Sequence, residues 1–252
     1  MSVVRVEHVN KDYLLGGQKV QALKDISLSI EPGVFMAIAG PSGSGKTTLL
    51  NLIGCIDTPS SGKIYINDQD VTDKSQDQLA DLRARTIGFI FQTFNLLPVL
   101  SAAENVEYPL LQRNDVSAAE RKRRAAYFLE VVGLSQYGGH RPNQLSGGQR
   151  QRVAIARALA IQPSIVLADE PTANLDRVTG QEILILMKEI NRHLNTTFIF
   201  STHDRRVMAM ADRLVKVEDG TISMLAVRVK DRWTTVRARR PKDGLEPAKG
   251  EG

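Results

Sequence analysis

The sequence predicts an α/β fold, and three observations support that prediction. Short apolar runs with the length of buried strands, Val34–Ala39 and Ile165–Asp169, alternate with stretches of helical spacing. The first of these runs leads directly into a glycine-rich loop, as a buried strand does. Between residues 93 and 159 the pattern is helical, so strand-rich segments enclose a helical insertion. With 252 residues the chain is long enough to bury a substantial core.

The N-terminal part of the chain predicts an antiparallel sheet. Apolar residues follow short alternating patterns over Val4–Val9 and Ile26–Ile30, and Gly16-Gly17 separates the two stretches. A helix is expected to begin at Lys46 and end near Gly54, with a further strand over Lys63–Asn67. We therefore predict an N-terminal antiparallel β subdomain beside the main sheet.

The later elements are predicted from strand runs, helical spacing and turn residues. Ile87–Gln92 and Phe198–Thr202 have strand character. Ser117 with Glu120 predicts a capping box at the start of a helix. Asp219-Gly220 is a hairpin signal.

Composition excludes several classes of protein. The single cysteine, Cys55, excludes a disulfide framework and is expected to be a small core residue. No stretch approaches the roughly 20 apolar residues of a membrane-spanning helix, and the N-terminal residues lack the apolar segment of a signal peptide. We therefore expect a cytoplasmic protein.

The net charge of +5 is concentrated near the C-terminus. Residues 226–252 carry eight basic and four acidic side chains and so contribute +4. Since no basic stripe with interleaved aromatic residues is evident, nucleic-acid binding is not expected. We predict one domain over residues 1–225, with its core in 1–92 and 160–225 and a helical subdomain in 93–159. Residues 226–252 are predicted to be a basic extension, partly disordered; contact with anionic lipid headgroups is the alternative.

A glycine-rich loop carries the strongest functional signal. Its residues match the phosphate-loop pattern in Gly40-Pro41-Ser42-Gly43-Ser44-Gly45-Lys46-Thr47, and Thr48 follows. The glycines let successive N–H groups point inward around phosphates, and the following helix contributes its positive end. Lys46 is predicted to reach the β- and γ-phosphates of ATP, and the Thr47 hydroxyl to bind Mg²⁺. The loop therefore predicts a P-loop NTPase core of the RecA-like kind.

Two carboxylates end the apolar run Ile165–Asp169. Asp169, at the carboxyl end of the predicted strand, is placed to reach the magnesium directly or through water. Glu170 lies one residue further, where it would accept a proton from the attacking water or orient that water. General-base help is typically worth about 10²–10⁴-fold, so loss of Glu170 is expected to abolish turnover without abolishing binding.

Two polar residues follow other predicted strands and are assigned to catalysis. His203 comes directly after Phe198–Thr202, at the γ-phosphate end of the predicted site. Gln92 closes the Ile87–Phe91 strand, where its amide can contact the magnesium or the attacking water. Its backbone begins the helical insertion, a position that suits a hinge reporting nucleotide state to another surface.

A second segment with small residues at a helix start is Leu145-Ser146-Gly147-Gly148-Gln149. Like the phosphate loop, it places small residues at the start of a helix, and it therefore predicts a second anion site. One ATP needs only one complete phosphate-binding site. The second anion site is explained if two copies meet head to tail and each closes over the nucleotide that the other holds.

These segments, in this order, resemble the ATP-binding subunit of ABC transporters over residues 3–225. The resemblance implies that Gly40–Thr47 is the Walker A segment and that Asp169 and Glu170 end Walker B. It further implies that the segment at 145–149 is the family signature. The remaining implied assignments are Gln92 as the Q-loop residue, Asp176 in the D-loop, His203 as the switch histidine, and Tyr13 as the aromatic residue that stacks on adenine.

Finer motifs resemble the branch that contains the MacB, LolD and FtsE ATPases. They are Asn51-Leu52-Ile53-Gly54, Asp57-Thr58-Pro59, Gly88–Gln92, Asn95–Pro98 and Leu167–Thr172. The resemblance implies an ATP-hydrolysing homodimer that drives separate integral-membrane permease subunits from the cytoplasmic face of the inner (plasma) membrane. Lipoprotein release, efflux or mechanotransmission are the implied tasks, with ATP and Mg²⁺ as ligands.

Two alternatives belong to other classes. A soluble ABC-type ATPase acting on a non-membrane target such as ribosomes or DNA usually carries two tandem halves or a long coiled coil, whereas this chain has one half. A P-loop GTPase or kinase would leave the signature segment unexplained, and no Asn-Lys-x-Asp guanine-reading segment is present.

Overall fold

The structure, a computed structural model, describes residues 2–230 and 232–236 and confirms the predicted α/β architecture. The strands are β1 (Val4–Leu15), β2 (Gln18–Ile30), β3 (Phe35–Ala39), β4 (Ser61–Ile66), β5 (Gln69–Asp70), β6 (Ile87–Ile90), β7 (Ile165–Asp169), β8 (Thr197–Thr202), β9 (Arg213–Glu218), β10 (Thr221–Val229) and β11 (Arg232–Val236). The helices are α1 (Lys46–Ile53), α2 (Gln76–Thr86), α3 (Ala102–Glu107), α4 (Ala118–Val131), α5 (Gly147–Ala160), α6 (Arg177–Leu194) and α7 (Arg205–Met210).

The central sheet has seven strands in the order β11-β10-β9-β3-β8-β7-β6. The five strands from β9 to β6 are parallel, and β10 and β11 add to the β9 edge in antiparallel pairing. Because side chains alternate across a strand, β3 serves two cores at once. Phe35 and Ala37 pack with α4, α5 and α6, whereas Met36 and Ile38 pack with α1 and the N-terminal sheet. This double burial explains why the sequence of β3 is apolar throughout.

The N-terminal antiparallel sheet has the order β2-β1-β4-β5, as the alternating pattern predicts. Val4 pairs with Ile30 and Leu15 with Gln18, so β1 and β2 form a long hairpin around Gly16-Gly17. The buried face of this sheet covers α1 and the central sheet. Cys55 lies buried in the same core, as expected of a small apolar residue.

The helical insertion contains α3, α4 and α5, which pack on one another through buried Val106, Phe128 and Val153. The predicted capping box of α4 forms only in part. Ser117 Oγ accepts a hydrogen bond from Glu120 N, but the Glu120 carboxylate turns to Arg123 and Arg124 instead of returning to the backbone. Two guanidinium groups offer a carboxylate stronger hydrogen bonds than one backbone N–H does.

The central sheet extends further toward the C-terminus than the boundary predicted at residue 225. That residue lies inside β10, and β11 pairs with β10 through Ala226–Thr235 and Arg228–Trp233. Val227 is half-buried, and the Arg228 guanidinium lies 4.9 Å from the centre of the Trp233 ring. Alternating apolar residues therefore continue the sheet there, and the predicted start of the extension at residue 226 is corrected. Residues 237–252, with the flexible end predicted at 241–252, lie outside the described residues.

Two smaller differences concern the segment before the insertion. The strand predicted over residues 87–92 ends at Ile90, so Gln92 lies in the following turn. A helix, α2, precedes this strand and begins with a complete capping box between Ser75 and Gln78. In the described part of the chain, none of the helices is both long enough and apolar enough to cross a bilayer.

Candidate functional site

The predicted catalytic residues follow the carboxyl ends of neighbouring parallel strands. The phosphate loop follows β3, Asp169 ends β7 with Glu170 next, His203 follows β8, and Gln92 follows β6. Register places Ala39 beside Thr202 and Asp169 beside Ser201. Because these strands run in one direction, their carboxyl ends meet at one edge, where open α/β sheets bind ligands.

The phosphate loop is shaped to hold an anion against the start of α1. Its N-cap residue, Gly45, has a left-handed conformation and provides no side-chain cap, so the first N–H groups of α1 have no side-chain acceptor there. Among the described residues, nothing bonds the buried Ser44 hydroxyl. Lys46 Nζ donates to Pro41 O at 2.8 Å and thus lies over the loop. These unpaired donors and the lysine fit the phosphates of a nucleotide.

Residue 40 must be glycine because the loop leaves no room for a side chain there. A Cβ at this position would meet the carbonyl oxygen of Val217 in β9 and the Ser44 hydroxyl. The loop therefore passes closer to β9 than a residue with a side chain permits, which fixes the turn from β3 into the loop.

Glu170 is held by the residues that follow β8. Its Oε1 lies 2.6 Å from His203 Nδ1 and accepts from His203 N at 3.1 Å, and its Oε2 accepts from the Thr202 hydroxyl at 3.1 Å. Glu170 itself has φ 45°, a left-handed conformation that is uncommon for residues other than glycine. Such strain persists where the surroundings fix the residue, and here three hydrogen bonds do so.

Asp169 occupies the position expected of a magnesium ligand beside Lys46. Burial raises the pKa of the Asp169 carboxyl, the neighbouring Glu170 adds to that rise, and Lys46 opposes it. A carboxylate that is costly to ionise gains from a nearby cation. The exposed Thr47 hydroxyl at the start of α1 adds a second oxygen of the kind that Mg²⁺ prefers, so the two residues fit that ion.

Gln92 lies exposed in the turn after β6, and its backbone is tied to a distant segment. The Asn174 side-chain amide donates to Gln92 O at 2.9 Å. The next residues of the turn, Phe94 and Asn95, offer both of their carbonyl oxygens to the Arg157 guanidinium of α5. The turn is therefore fastened to the segment after Glu170 and to the helical insertion.

Tyr13 lies on β1, half-buried, at the side of the nucleotide loop. Its hydroxyl donates to Asp57 Oδ2 at 2.8 Å, and Thr48 of α1 also hydrogen bonds to it. Burial raises the pKa of the Tyr13 phenol, and Asp57 raises it further. The structure thus places this ring beside the helix that begins at the phosphate loop.

The signature segment opens α5 and lies against the D-loop and the start of α6. Ser146 Oγ accepts from Gln149 N at 3.2 Å, and Gln149 Oε1 accepts from Ser146 N at 2.8 Å, which completes a capping box. Gly147 faces Leu175, and Gly148 faces Thr179. Asp176 is exposed and caps α6 by accepting from Val178 N and Thr179 N, both at 3.0 Å.

The structure therefore forms two groups from the predicted site residues. The first group, at the edge of the central sheet, contains the phosphate loop, Thr48, Gln92, Asp169, Glu170 and His203, and Tyr13 of β1 joins it through Thr48. The second group contains Ser146–Gln149 and Asp176. Sequence reasoning did not predict the contacts of Thr202 and Asn174, which bond Glu170 and the Gln92 backbone. Their only sequence signal is proximity to assigned residues, because the contacts join segments 32 and 82 residues apart.

A groove of about 360 Å³ adjoins the turn that contains Gln92. Three aromatic side chains contribute to its lining: Phe89 and Phe91 stack with ring centres 5.8 Å apart, and Tyr108 is exposed. Arg83 and Arg157 border these rings. The arrangement is an apolar surface with basic margins on the side of the chain that the insertion forms.

Comparison with known proteins agrees with this geometry. An archaeal relative, the ABC transporter ATP-binding protein MJ0796 of Methanocaldococcus jannaschii, is 46% identical over 87% of this chain and 95% of its own length. The macrolide export ATP-binding/permease protein MacB of Syntrophobacter fumaroxidans is 48% identical over 88% of this chain. The chain spans only 31% of that larger protein.

A solved structure of MJ0796, described as a dimer in a post-hydrolysis state bound to ADP and Pi, superimposes with a TM-score of 0.80. It shares 44% identity and covers 94% of this chain and 100% of its own. The family model for ABC transporters matches residues 23–173, more than half of the chain. The chain therefore belongs to the ABC transporter family, among its ATP-binding proteins.

Proposed function

We propose that this chain binds MgATP at the sheet edge and hydrolyses it within a head-to-tail dimer that drives integral-membrane permease subunits. The observation that carries the proposal is the position of Glu170, fixed by His203 and Thr202 next to Asp169 and the phosphate loop. The solved dimer of the relative bound to ADP and Pi supports both the reaction and the assembly.

Within the site, each residue has a distinct task. Lys46 and the backbone N–H groups of residues 42–48 bind the β- and γ-phosphates, and the Tyr13 ring stacks on adenine. Thr47 and Asp169, with Gln92 nearby, would hold a magnesium ion, which would neutralise charge on the phosphates. These contacts orient the γ-phosphorus toward the side on which Glu170 lies.

Hydrolysis requires a water molecule in line with the bond from the γ-phosphorus to ADP. The Glu170 carboxylate accepts a hydrogen bond from that water and takes up its proton as the new P–O bond forms and the bond to ADP breaks. Since an ionised carboxylate only accepts, His203 Nδ1 carries the hydrogen in its 2.6 Å contact with Oε1. His203 thereby holds the base toward the γ-phosphate.

The second group completes the site of a second copy. Ser146 and the N–H groups at the start of α5 bind the γ-phosphate of the partner's ATP, and Asp176 borders the same nucleotide. Ser146 begins α5 in the helical insertion and does not follow a strand of the edge where the phosphate loop lies. We therefore propose that a complete set of phosphate donors comes from two chains.

The permease is proposed to bind in the groove beside Gln92. A short helix from a membrane subunit, apolar on one face, fits the aromatic floor at Phe89 and Tyr108. The name of the MacB relative, an ATP-binding/permease protein, supports such an assembly. We propose that the chain lies on the cytoplasmic face of the membrane and that the driven process is lipoprotein release, efflux or mechanotransmission.

The test is the Glu170→Gln variant, which keeps the shape of the side chain but accepts protons poorly. We expect at least a 100-fold loss of ATP hydrolysis, following the worth of about 10²–10⁴-fold for general-base help. ATP binding should persist, and the variant should accumulate as a dimer in MgATP on size-exclusion chromatography. The matched control is Glu189→Gln at an exposed position of α6, which should behave as wild type. A folded Glu170→Gln variant that stays monomeric in MgATP would contradict the proposal.

A further inference from the structure

Lys11, Asp57 and Thr58 form a small polar cluster with the Tyr13 hydroxyl. Lys11 Nζ donates to Asp57 Oδ1 at 2.7 Å and to Thr58 O at 2.8 Å, while the Tyr13 hydroxyl donates to Asp57 Oδ2 at 2.8 Å. Thr58 N also donates to Asp57 Oδ1, at 2.7 Å. Both carboxylate oxygens of Asp57 are thus occupied, one by a cation and a backbone donor and the other by the phenol.

The cluster is partly removed from water, which strengthens its hydrogen bonds. The Lys11 side chain is 11% exposed and that of Asp57 29% exposed. Burial opposes ionisation of Asp57, but the hydrogen bonds from Lys11 and Tyr13 prevail and hold the pKa of its carboxyl below the ordinary value. Charge-assisted hydrogen bonds are roughly twice as strong as neutral ones, so the phenol has a well-defined position.

Asp57 connects the ring to the helix of the phosphate loop. Ile56 N and Asp57 N both donate to Asn51 O, at 2.9 and 3.4 Å, so the segment after α1 is fastened to that helix. Tyr13, in contrast, belongs to β1 in the other sheet. The carboxylate of Asp57 is therefore the bridge between the adenine side and the phosphate side of the nucleotide site.

Lys11 also lies over the ring itself. Its ammonium group is 4.8 Å from the centre of the Tyr13 ring, within the range of a cation–π contact. This contact places the ammonium group against one face of the ring. The side chains of Lys11 and Asp57 thus define both the distance and the orientation of the ring.

We propose that Lys11 and Asp57 are positioning residues that set the span between the Tyr13 ring and the phosphate loop, and so select a triphosphate joined to a purine-sized base. This inference rests on the proposed function, since it requires that Tyr13 contacts adenine. Neither residue touches the phosphates, and both act through the ring.

The test compares Asp57→Ala with wild type in ATP hydrolysis and in nucleotide binding. We expect KM for ATP to rise about three- to tenfold while kcat at saturating ATP stays within about twofold, because lost positioning of the base weakens binding without changing the hydrolytic groups. Inhibition by inorganic tripolyphosphate, which has no base, should be unchanged. A loss that is equal for ATP and tripolyphosphate would overturn the inference, since it would show general damage to the loop.

The chain offers matched controls on the same β subdomain. Asp70→Ala removes a carboxylate that pairs with Lys63 at 3.8 Å, and Tyr65→Phe removes the hydroxyl of a ring that Arg5 covers at 3.8 Å. Both should leave KM unchanged. Asp57→Asn, which keeps an acceptor for the phenol, should lose less than Asp57→Ala. Tyr13→Phe keeps the ring, introduces no charge and removes only the hydroxyl that Asp57 binds. It should also raise KM, and it tests the inference even if Asp57→Ala proves unstable.

The failure of this inference is distinguishable from failure of the adenine contact. Tyr13→Ala should weaken ATP binding about tenfold or more, in line with the worth of base–aromatic stacking. If Tyr13→Ala binds ATP as wild type does, the adenine contact in the proposed function is wrong, and the inference falls with it. If Tyr13→Ala weakens binding but Asp57→Ala and Lys11→Ala do not, only the positioning role is wrong. A Tyr13→Ala/Asp57→Ala double variant should be no weaker than Tyr13→Ala alone.

Discussion

The two helices whose N-termini are proposed to bind phosphate, α1 and α5, differ in how their first N–H groups are capped. At α1 the N-cap is Gly45, without a side-chain cap, and the loop before it is surrounded by Asp169 and β9. At α5 a reciprocal pair of hydrogen bonds between Ser146 and Gln149 caps the end, which lies exposed. The end of α1 lacks a side-chain cap, so its N–H groups are available to a ligand. At the end of α5 the capping hydrogen bonds already use the side-chain acceptor of Ser146 without a ligand.

The difference shows which part of the site one chain supplies by itself. The α1 end has donors without side-chain acceptors and neighbours that provide a lysine and carboxylates, so a single chain can bind ATP there. The α5 end has a hydroxyl and a helix start but no carboxylate or lysine in its first turn. We propose that it contributes when it meets a nucleotide that another chain already holds, and that the Ser146 hydroxyl then exchanges its backbone partner for a phosphate oxygen.

The largest effect is expected from adding one methyl group to each end. Gly40→Ala would place Cβ against the Val217 carbonyl, so the loop must shift and ATP binding should fall by at least about 100-fold, with a loss of stability of about 2 kcal/mol or more. Gly147→Ala meets only Leu175 at 3.5 Å, an ordinary contact, and the isolated chain should bind ATP normally. Thermal unfolding and titration with a fluorescent ATP analogue measure both. Equal damage in the two variants would remove the contrast between the ends.

A mixing experiment tests whether the two ends come from different chains. Lys46→Ala lacks phosphate binding, and Ser146→Ala lacks the donated hydroxyl, so each variant alone should hydrolyse ATP poorly. In an equal mixture, half of the dimers contain one site with both residues intact, and about one quarter of wild-type activity should return. A mixture that stays as inactive as its components would show that each chain uses its own α5, contrary to the head-to-tail arrangement.

The smallest effect concerns the stability of the folded chain at acid pH. The pKa of Asp57 is held below its ordinary value in the folded chain, so its contribution to stability is fully present above the ordinary pKa of about 3.9. That contribution is lost as the pH falls through the lower, folded value. Unfolding by urea at pH 3 and pH 6 should therefore show a smaller difference for Asp57→Ala than for wild type. An identical pH dependence in the two proteins would show that the bridge at the α1 side adds no stability.

Sequence patterns predicted the central strands, and the phosphate loop after one of them, because these features are local. The strands β3 and β7 are uninterrupted apolar runs, and the phosphate loop needs its residues in one order. Helix α2 escaped prediction because Leu79 is its single buried residue, which gives little helical periodicity. Its capping residues, Ser75 and Gln78, were the remaining signal.

Other features depend on contacts between distant segments, which sequence patterns do not record. Thr202 fixes Glu170, and Asn174 binds the Gln92 backbone, only because parallel strands bring their ends together. Basic residues interrupt the apolar ones of β11, so the sequence pattern predicts a basic, partly disordered extension there and not a further strand. Pairing with β10 and the contact between Arg228 and Trp233 outweigh that charge.

The bond between Arg157 and the turn after Gln92 has a mechanical consequence. Helix α5 is 14 residues long, a rod of about 21 Å, with Ser146 at its tip and Arg157 in its last turn. Any tilt that draws the tip toward a partner's nucleotide must also drag Phe94 and Asn95, since their carbonyls are fastened to the same rod. Asn95 and Arg157 form part of the wall of the aromatic groove. Binding of the partner's triphosphate at the tip of α5 is therefore proposed to change the shape of the groove in which the permease is proposed to bind.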